Sequence, residues 1–392
     1  MKKLYLKRHK DESLRRFHPW VFSGAISHVS DEPEDGEVVE VRSEDDEYIA
    51  TGHYQNGSIM VRVLTFEGEA IDRDFYEHRI AVALDVRRTA GLTGREDNDT
   101  FRLVHGEGDN LPGLVVDVYG TTAVMQAHSV GMHCDRSIIS EALRLVMPDL
   151  TAVFYKSETT LPPRMQERGE TMACFLYGGS GDDVAVENGL KFHVDWLRGQ
   201  KTGFFVDQRE NRSLLERYAK GRRVLNMFCY TGGFSFYAMR GGAELVHSVD
   251  SSQKAIDLTN RNVQLNFPND PRHQAFCEDA FKFLESMKSY DLVILDPPAF
   301  AKHKDSLRNA LKGYTRLNQK AMEKMPERSV LFTFSCSQVV SKDAFRTAVF
   351  TAAAQAGRKV RILHQLHQPA DHPINIYHPE GEYLKGLVLY VE

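Results

Sequence analysis

No two of the five cysteines in this 392-residue chain form a CxxC pair; they lie scattered at 134, 174, 229, 277 and 336. An odd, dispersed set argues against a disulfide framework and against a structural zinc site, and is expected of a reducing compartment. Nowhere do about 18 apolar residues run together, and no apolar segment of about 7–15 residues follows the basic N-terminus, so neither a membrane span nor a secretory leader is expected. A soluble cytoplasmic protein is the default expectation. Low-complexity stretches and fixed-period repeats are missing as well. With a net charge of −5, the average composition carries no strong basic excess of the kind that announces nucleic-acid binding. What is present is core-forming material: 42% apolar residues over 392 positions exclude a disordered tail and suggest two or three domains.

The average charge hides a split. Residues 1–16 carry seven Lys/Arg (2, 3, 7, 8, 10, 15 and 16) against Asp11 and Glu12, whereas residues 31–47 carry ten acids against Arg42 alone. A polyanion could therefore still find a basic face.

The hydrophobic period changes along the chain. From Leu4 to Phe66, short runs such as Glu37-Val-Val-Glu-Val-Arg42 and Ile59-Met-Val-Arg-Val-Leu64 are broken by glycines, which predicts a small β-rich module over 1–72. Helical spacing then appears over 74–90, with Asp72 or Asp74 available as N-cap. Residues 73–189 mix strands and helices in the manner of an α+β domain built from hairpins. Over 190–392 the rhythm becomes βαβ, and Leu292-Val-Ile-Leu295 reads as a buried parallel strand. The predicted fold class is α/β: a doubly wound C-terminal domain, with ligand expected at the carboxyl ends of its strands.

Three constellations fall at those strand ends. Asn226-Met-Phe-Cys-Tyr-Thr-Gly-Gly-Phe234 places glycines directly after an apolar strand, but its spacing is not GxGxxG, so a dinucleotide is not the expected guest. Asp250 ends the next strand, where a carboxylate can accept from both ribose hydroxyls, and Asp279 ends the one after. Glycines, an acid and a second acid suit an adenosine without phosphates, which suggests S-adenosylmethionine; the plainer alternative is a tight turn with two helix-capping aspartates. Asp296-Pro-Pro298 follows the buried strand, and two prolines would hold Asp296 rigidly over the crevice, able to accept from an exocyclic amine. Cys336, in Phe334-Ser-Cys-Ser337, ends another strand; a thiolate there could add to C6 of a pyrimidine and activate C5, although a lone cysteine is more often simply buried. His364, His367, His372 and His378 cluster in sequence, but HxxH on a strand points its rings to opposite faces, so no metal is expected.

Taken in order, His18-Pro-Trp-Val-Phe-Ser-Gly24, Gly106 to Gly113, Lys201-Thr-Gly-Phe-Phe-Val-Asp-Gln-Arg209, Asn226 to Phe234, Asp296-Pro-Pro298, Phe334 to Ser337 and Ala370-Asp-His-Pro373 resemble the bacterial 23S ribosomal RNA large-subunit methyltransferase I family, which makes 5-methylcytosine. The resemblance covers essentially the whole chain. It implies an N-terminal RNA-binding PUA domain, a central α+β domain and a Rossmann-like methyltransferase domain. It also implies cofactor contacts from Phe205, Val206, Asp207, Gln208, Asn226, Phe228, Tyr230, Thr231, Gly232, Asp250, Ser251, Asp279 and Asp296, with Cys336 as nucleophile. A related N7-guanine enzyme has asparagine where this chain has Cys336, which favours pyrimidine C5.

The resemblance leaves the base for the C5 proton unassigned: Lys385 stands where related 5-methyluridine enzymes have glutamate, with Glu380 and Glu382 nearby. The expected partner is single-stranded or flipped-out 23S ribosomal RNA, without membrane or metal, and a homodimer through the exposed sheet of the first module is admitted. Two rival readings stay open. One is a nitrogen-directed methyltransferase of the same fold, and the other a non-catalytic RNA-binding assembly protein acting through residues 2–16 with Phe17, Trp20 and Phe22.

Overall fold

The computed structural model describes residues 1–167, 171–179, 183–301 and 303–392. It divides into two compact units: Met1–Gly189 with Val194–Val206 and Ala370–Gly381, and Leu190–His193 with Asp207–Pro369 and Glu382–Glu392. Two segments of the chain's last half, 194–206 and 370–381, thus belong with the first unit. Among the described residues no helix is long and apolar enough to cross a membrane.

The first unit holds two sheets. β1 (Lys2–Leu6), β2 (Trp20–Phe22), β3 (Ile26–Val29), β4 (Val38–Arg42), β5 (Tyr48–Tyr54) and β6 (Ile59–Thr65) form a six-stranded sheet in the order β2-β6-β5-β4-β1-β3. Alternation explains it: Leu4, Leu6, Val39, Val41, Val61 and Val63 point to one face and are at most 3% exposed. Each such side chain contributes roughly 1.5–3 kcal/mol on burial. β1 runs parallel to β4, which in turn pairs with β5. That pairing lays the basic start of the chain against the acidic run, so Lys2 meets Glu37, Lys3 meets Asp46, Arg8 meets Glu44 and Arg15 meets both Asp11 and Glu47. Four of the seven basic residues in 1–16 are therefore paired with the chain's own acids.

α1 (Arg73–Thr89) follows, capped by the Asp72 carboxylate on the Phe75 amide. β7 (Thr100–His105), β8 (Leu114–Tyr119) and β9 (Thr122–Ala127) make a meander; α2 (Val130–Cys134) and α3 (Arg136–Val146) lead to β10 (Ala152–Lys156), then α4 (Pro163–Glu167), β11 (Ala173–Gly178) and β12 (Val184–Glu187). The second sheet runs β11-β10-β9-β8-β7. It departs from the expected hairpins at one pair: β9 and β10 are parallel, because the intervening helices return the chain in the same sense.

A buried polar network anchors segment 370–381 to this unit. Arg87, fully buried, donates to both Asp109 oxygens at 2.5 and 2.8 Å, to the Arg102 carbonyl at 2.7 Å and to the Asp371 carbonyl at 2.8 Å. The Asp371 carboxylate accepts from the Arg102 amide, and His372 packs on His105. Gly108 has no alternative here, since a Cβ would sit 2.0 Å from the Pro373 carbonyl oxygen. Likewise Thr202, in the Lys201-Thr-Gly segment, donates to Asp117 at 2.6 Å, and Asp117 also takes the Arg102 fork.

The second unit contains β13 (Leu190–His193), α5 (Arg209–Glu216), β14 (Arg223–Met227), α6 (Gly233–Arg240), β15 (Leu245–Asp250), α7 (Gln253–Asn266), β16 (His273–Cys277), α8 (Ala280–Glu285), β17 (Leu292–Leu295), α9 (Leu307–Lys324), β18 (Ser329–Ser335), α10 (Lys342–Gln355), β19 (Val360–His367) and β20 (Lys385–Val391). Its seven-stranded sheet runs β16-β15-β14-β17-β18-β20-β19. The first five of these are parallel, and β20 is antiparallel to both β18 and β19. All four residues of β17 and all seven of β18 are buried, as expected of strands covered on both faces. The strand order reverses at β14/β17, the place where an open α/β sheet opens a crevice at its carboxyl edge.

Candidate functional site

The register sets the carboxyl ends of the parallel strands side by side: Met227 pairs with both Val249 and Leu295, Asp250 with Cys277, and Leu295 with Thr333. The loop after β14 is held in an unusual shape. Phe228, Tyr230 and Gly232 have φ of 59°, 47° and 84°. Non-glycine residues tolerate this region only when their surroundings enforce it. Here the Cys229 amide donates to the Val249 carbonyl at 3.0 Å, Thr259 donates to the Tyr230 carbonyl at 2.9 Å and Asn262 to the Thr231 carbonyl at 3.2 Å. At Gly232 a Cβ would lie 2.6 Å from the Phe236 ring and 2.8 Å from the Thr259 methyl. Cys229 is buried in this turn, and burial pushes its thiol up, so it packs and does not react.

Asp250 ends β15 and secures the loop: one carboxylate oxygen accepts from the Tyr230 amide at 3.0 Å and the other from Ser252 at 2.9 Å. Each oxygen retains a lone pair. Ser251 is exposed beside it. Asp279 is exposed and caps α8 through the Lys282 amide at 3.0 Å, so the helix-capping alternative is present in the structure while its second oxygen can still take a ligand. Asn226 behaves differently, because its amide is buried and donates inward to Ser235 at 2.9 Å, leaving only its backbone near the crevice.

Asp296 follows β17 and is half-buried. Gln208 donates to it at 3.0 Å, and Asn211 in turn donates to the Gln208 carbonyl oxygen at 2.6 Å, so a two-residue chain orients the carboxylate. Asp207 accepts from the Tyr383 hydroxyl at 2.7 Å. Phe205 and Val206 belong to the first compact unit, where Lys201 lies 4.9 Å over the Phe205 ring and Val206 is buried.

Cys336 stands one residue past β18, half-buried, with its thiol 3.9 Å from the Pro297 carbonyl oxygen. Ser337 donates to the Ala301 carbonyl, fixing the same Pro-Pro loop to the same strand end. The loop carrying Asp296 and the strand end carrying Cys336 are thereby one structure. Below them Tyr314 accepts from Ser335 at 2.9 Å and packs against the tilted Phe300 ring, and burial raises its hydroxyl to about 12, keeping it neutral.

On the other side is Lys385. Because β20 is antiparallel to β18, Lys385 pairs with Ser335, and its ammonium donates to the Ser337 carbonyl at 2.6 Å. Burial pulls its pKa down to about 8, opposed by the charges of Cys336 and Glu382. Glu382 itself is engaged by Lys342 at 2.5 Å, and Glu380 belongs to the first unit. Asn211, Tyr314 and Tyr383 had no sequence signal: each acts through a contact that only the folded chain makes.

The comparisons with known proteins agree with this geometry. Residues 157–374 match the family model described as S-adenosylmethionine-dependent methyltransferase, and residues 4–66 match a PUA-like domain. Curated relatives called ribosomal RNA large subunit methyltransferase I include one from Aeromonas hydrophila, 39% identical, and one from Alteromonas mediterranea, 40% identical, each match covering 98% of both chains. A putative SAM-dependent methyltransferase from Streptococcus mutans shares the fold over 100% of both chains at 22% identity, with a TM-score of 0.84. SMU.776, a putative methyltransferase complexed with SAH, does so at 23% identity and a TM-score of 0.86. Whole-length identity of this degree, on a fold that joins a PUA-like module to a methyltransferase sheet, places the chain in the ribosomal RNA large subunit methyltransferase I family of S-adenosylmethionine-dependent methyltransferases.

Proposed function

We propose that this chain, in the cytoplasm, methylates C5 of a cytosine in 23S ribosomal RNA through a covalent adduct with Cys336. The observation that carries this reading is the tying of Asp296 and Cys336 to one another at neighbouring strand ends, through Pro297 and Ala301, with the buried Lys385 alongside. The donor set fits the cofactor: Asp250 for the ribose hydroxyls, the left-handed loop from Phe228 through Tyr230 and Thr231 to Gly232 for close backbone approach, Asp279 and Ser251 at the crevice edge, and Asp207 with Gln208 below Asp296. S-adenosylmethionine supplies an electrophilic methyl group.

The residues of the chain prepare the acceptor. Asp296, held by Gln208, accepts hydrogen bonds from the exocyclic amine of a flipped-out cytosine. The Cys336 thiolate forms a bond to C6, and the electron pair displaced from the C5–C6 double bond makes C5 nucleophilic. Once C5 is methylated, Lys385 in its neutral form takes the C5 proton, the double bond re-forms and the S–C6 bond breaks, returning the thiolate. Lys385 is the better base candidate because its ammonium is held at the strand end that carries Cys336, whereas Glu382 is ion-paired to Lys342.

The test uses protein-free large-subunit RNA from a strain lacking the gene. Wild-type protein should form 5-methylcytidine in the digested product, and Cys336→Ala should form none while still binding cofactor. RNA carrying 5-fluorocytidine should trap a protein–RNA adduct that Cys336→Ala cannot form, since fluorine leaves no C5 proton to remove. Full turnover by Cys336→Ala, or methyl found on a nitrogen, would overturn the covalent route.

A further inference from the structure

Among the described residues one group of His, Cys, Asp and Glu lies close enough to share a metal ion: His18, His378 and Glu380, whose ligand atoms all fall within 4.8 Å of one another. All three belong to the first compact unit. His18 precedes β2, while His378 immediately precedes, and Glu380 lies within, the single turn at Pro379–Gly381. The Glu380 carboxylate lies 3.7 Å from Nε2 of His18 and 3.8 Å from Nε2 of His378, too far for hydrogen bonds.

His378 is the unusual member. Its side chain is 97% withdrawn from solvent, yet neither ring nitrogen has a hydrogen-bond partner. Buried polar atoms are rarely left this way, because each unmade bond costs about 1–3 kcal/mol. The ring is clamped by Trp20, 4.3 Å away and edge-on, and the Trp20 indole is itself fixed to Glu107 at 2.8 Å. The His378 nitrogen is therefore rigidly presented to Glu380, with no protein group to satisfy it.

We propose that His18, His378 and Glu380 form a binding site for a divalent transition metal of the zinc class. Two imidazoles and one carboxylate are a known zinc donor set, and three protein ligands leave the fourth tetrahedral position to water. Bonds of about 2.0–2.1 Å place tetrahedral ligands roughly 3.3 Å apart, so the triangle needs to contract by no more than about 1.5 Å. Glu380, exposed, and the partly exposed His18 can rotate to supply that. Nδ1 of His18 is engaged by the Trp20 backbone, 3.3 Å from its amide and 3.4 Å from its carbonyl oxygen, which holds the ring with Nε2 turned toward Glu380. Bound metal would clip residue 18 to the segment 378–380 across 360 positions of sequence, closing a long loop within the first unit. The histidine run 364–372 plays no part, since His364 contacts Tyr218, His367 contacts the Gln368 carbonyl and His372 packs on His105.

The experiment uses the untagged full chain, stripped with chelator and titrated with zinc against a chromophoric chelator, then with cobalt(II). One zinc per chain should bind. The cobalt form should show the visible bands of a tetrahedral nitrogen and oxygen site without near-ultraviolet thiolate charge transfer, and should quench Trp20. Glu380→Gln, at an exposed position, should weaken binding by about tenfold or more with the metal-free melting temperature unchanged, and His378→Ala should abolish it. Zinc binding that survives both substitutions, a thiolate band in the cobalt spectrum, or no binding by the wild-type chain would each overturn the proposal.

Discussion

Arg87 gives the sharpest test of how the first unit is held together. Replacing it with methionine keeps the apolar stem and removes a guanidinium that is 0% exposed. The loss strands the Asp109 carboxylate, 3% exposed at its side chain, with the His105 amide at 2.6 Å as a remaining donor, and takes the guanidinium hydrogen bonds from the Arg102 and Asp371 carbonyls. Breaking a buried ion pair from one side costs about 3–5 kcal/mol. Set against a stability of about 5–15 kcal/mol, that is roughly a fifth or more of the total. Both tryptophans, Trp20 and Trp196, lie in this unit, so fluorescence during urea unfolding reports on it selectively. Arg87→Met should lose about 3–5 kcal/mol, whereas Arg87→Met with Asp109→Leu should recover most of it, short of about 1 kcal/mol for the His105 hydrogen bond. A loss under about 1 kcal/mol in the single variant, or a double variant no more stable than the single, would refute the view that this pair, and not the surrounding apolar packing, anchors the segment at Asp371.

Four further outcomes follow from the site. If Lys385 is the base, the rate of methyl transfer should rise about fivefold between pH 7 and pH 8, as the neutral fraction of a group with pKa about 8 grows from roughly a tenth to a half, and Lys385→Met should be slow with a flat profile. The same depressed pKa means the unfolded chain binds more protons than the folded one between about pH 8 and 10.5, so wild-type stability should rise with pH across that window and Lys385→Met should lose the trend. Gly232→Ala meets both a φ of 84° and the Phe236 ring, and should weaken binding of S-adenosylhomocysteine in calorimetry while Gly357→Ala, at a φ of 66° in open space, should not. Asp279→Ala should cost about 1 kcal/mol in thermal unfolding through its lost cap, and should also lower cofactor affinity; unchanged affinity would leave it a helix cap and nothing more.

What could be read from the sequence was whatever depends on neighbours in the chain. Continuous apolar runs mark β17 and β18 as buried parallel strands, and the turn chemistry after each strand puts Gly232, Asp250, Asp279, Asp296 and Cys336 at one edge, because strand ends of a parallel sheet necessarily share an edge. What could not be read depends on which strands meet. The ion pairing of basic residues in 1–16 with the acidic run requires β1 beside β4, a pairing no local pattern specifies. The candidate base is Lys385 because β20 is antiparallel to β18 and brings position 385 to position 335. The same reasoning separates the two histidine arrangements. Spacing drew attention to residues 364–378, but on a strand near neighbours diverge, whereas His18 and His378 converge because Ala370–Gly381 leaves the methyltransferase sheet and packs within the first unit. Asp371 directs that departure: its carbonyl oxygen and carboxylate are both held by the Arg87 and Arg102 network, so perturbing Arg87 should also disturb the geometry on which the proposed metal site depends. Zinc affinity should then fall in Arg87→Met, although Arg87 contacts none of the three ligands.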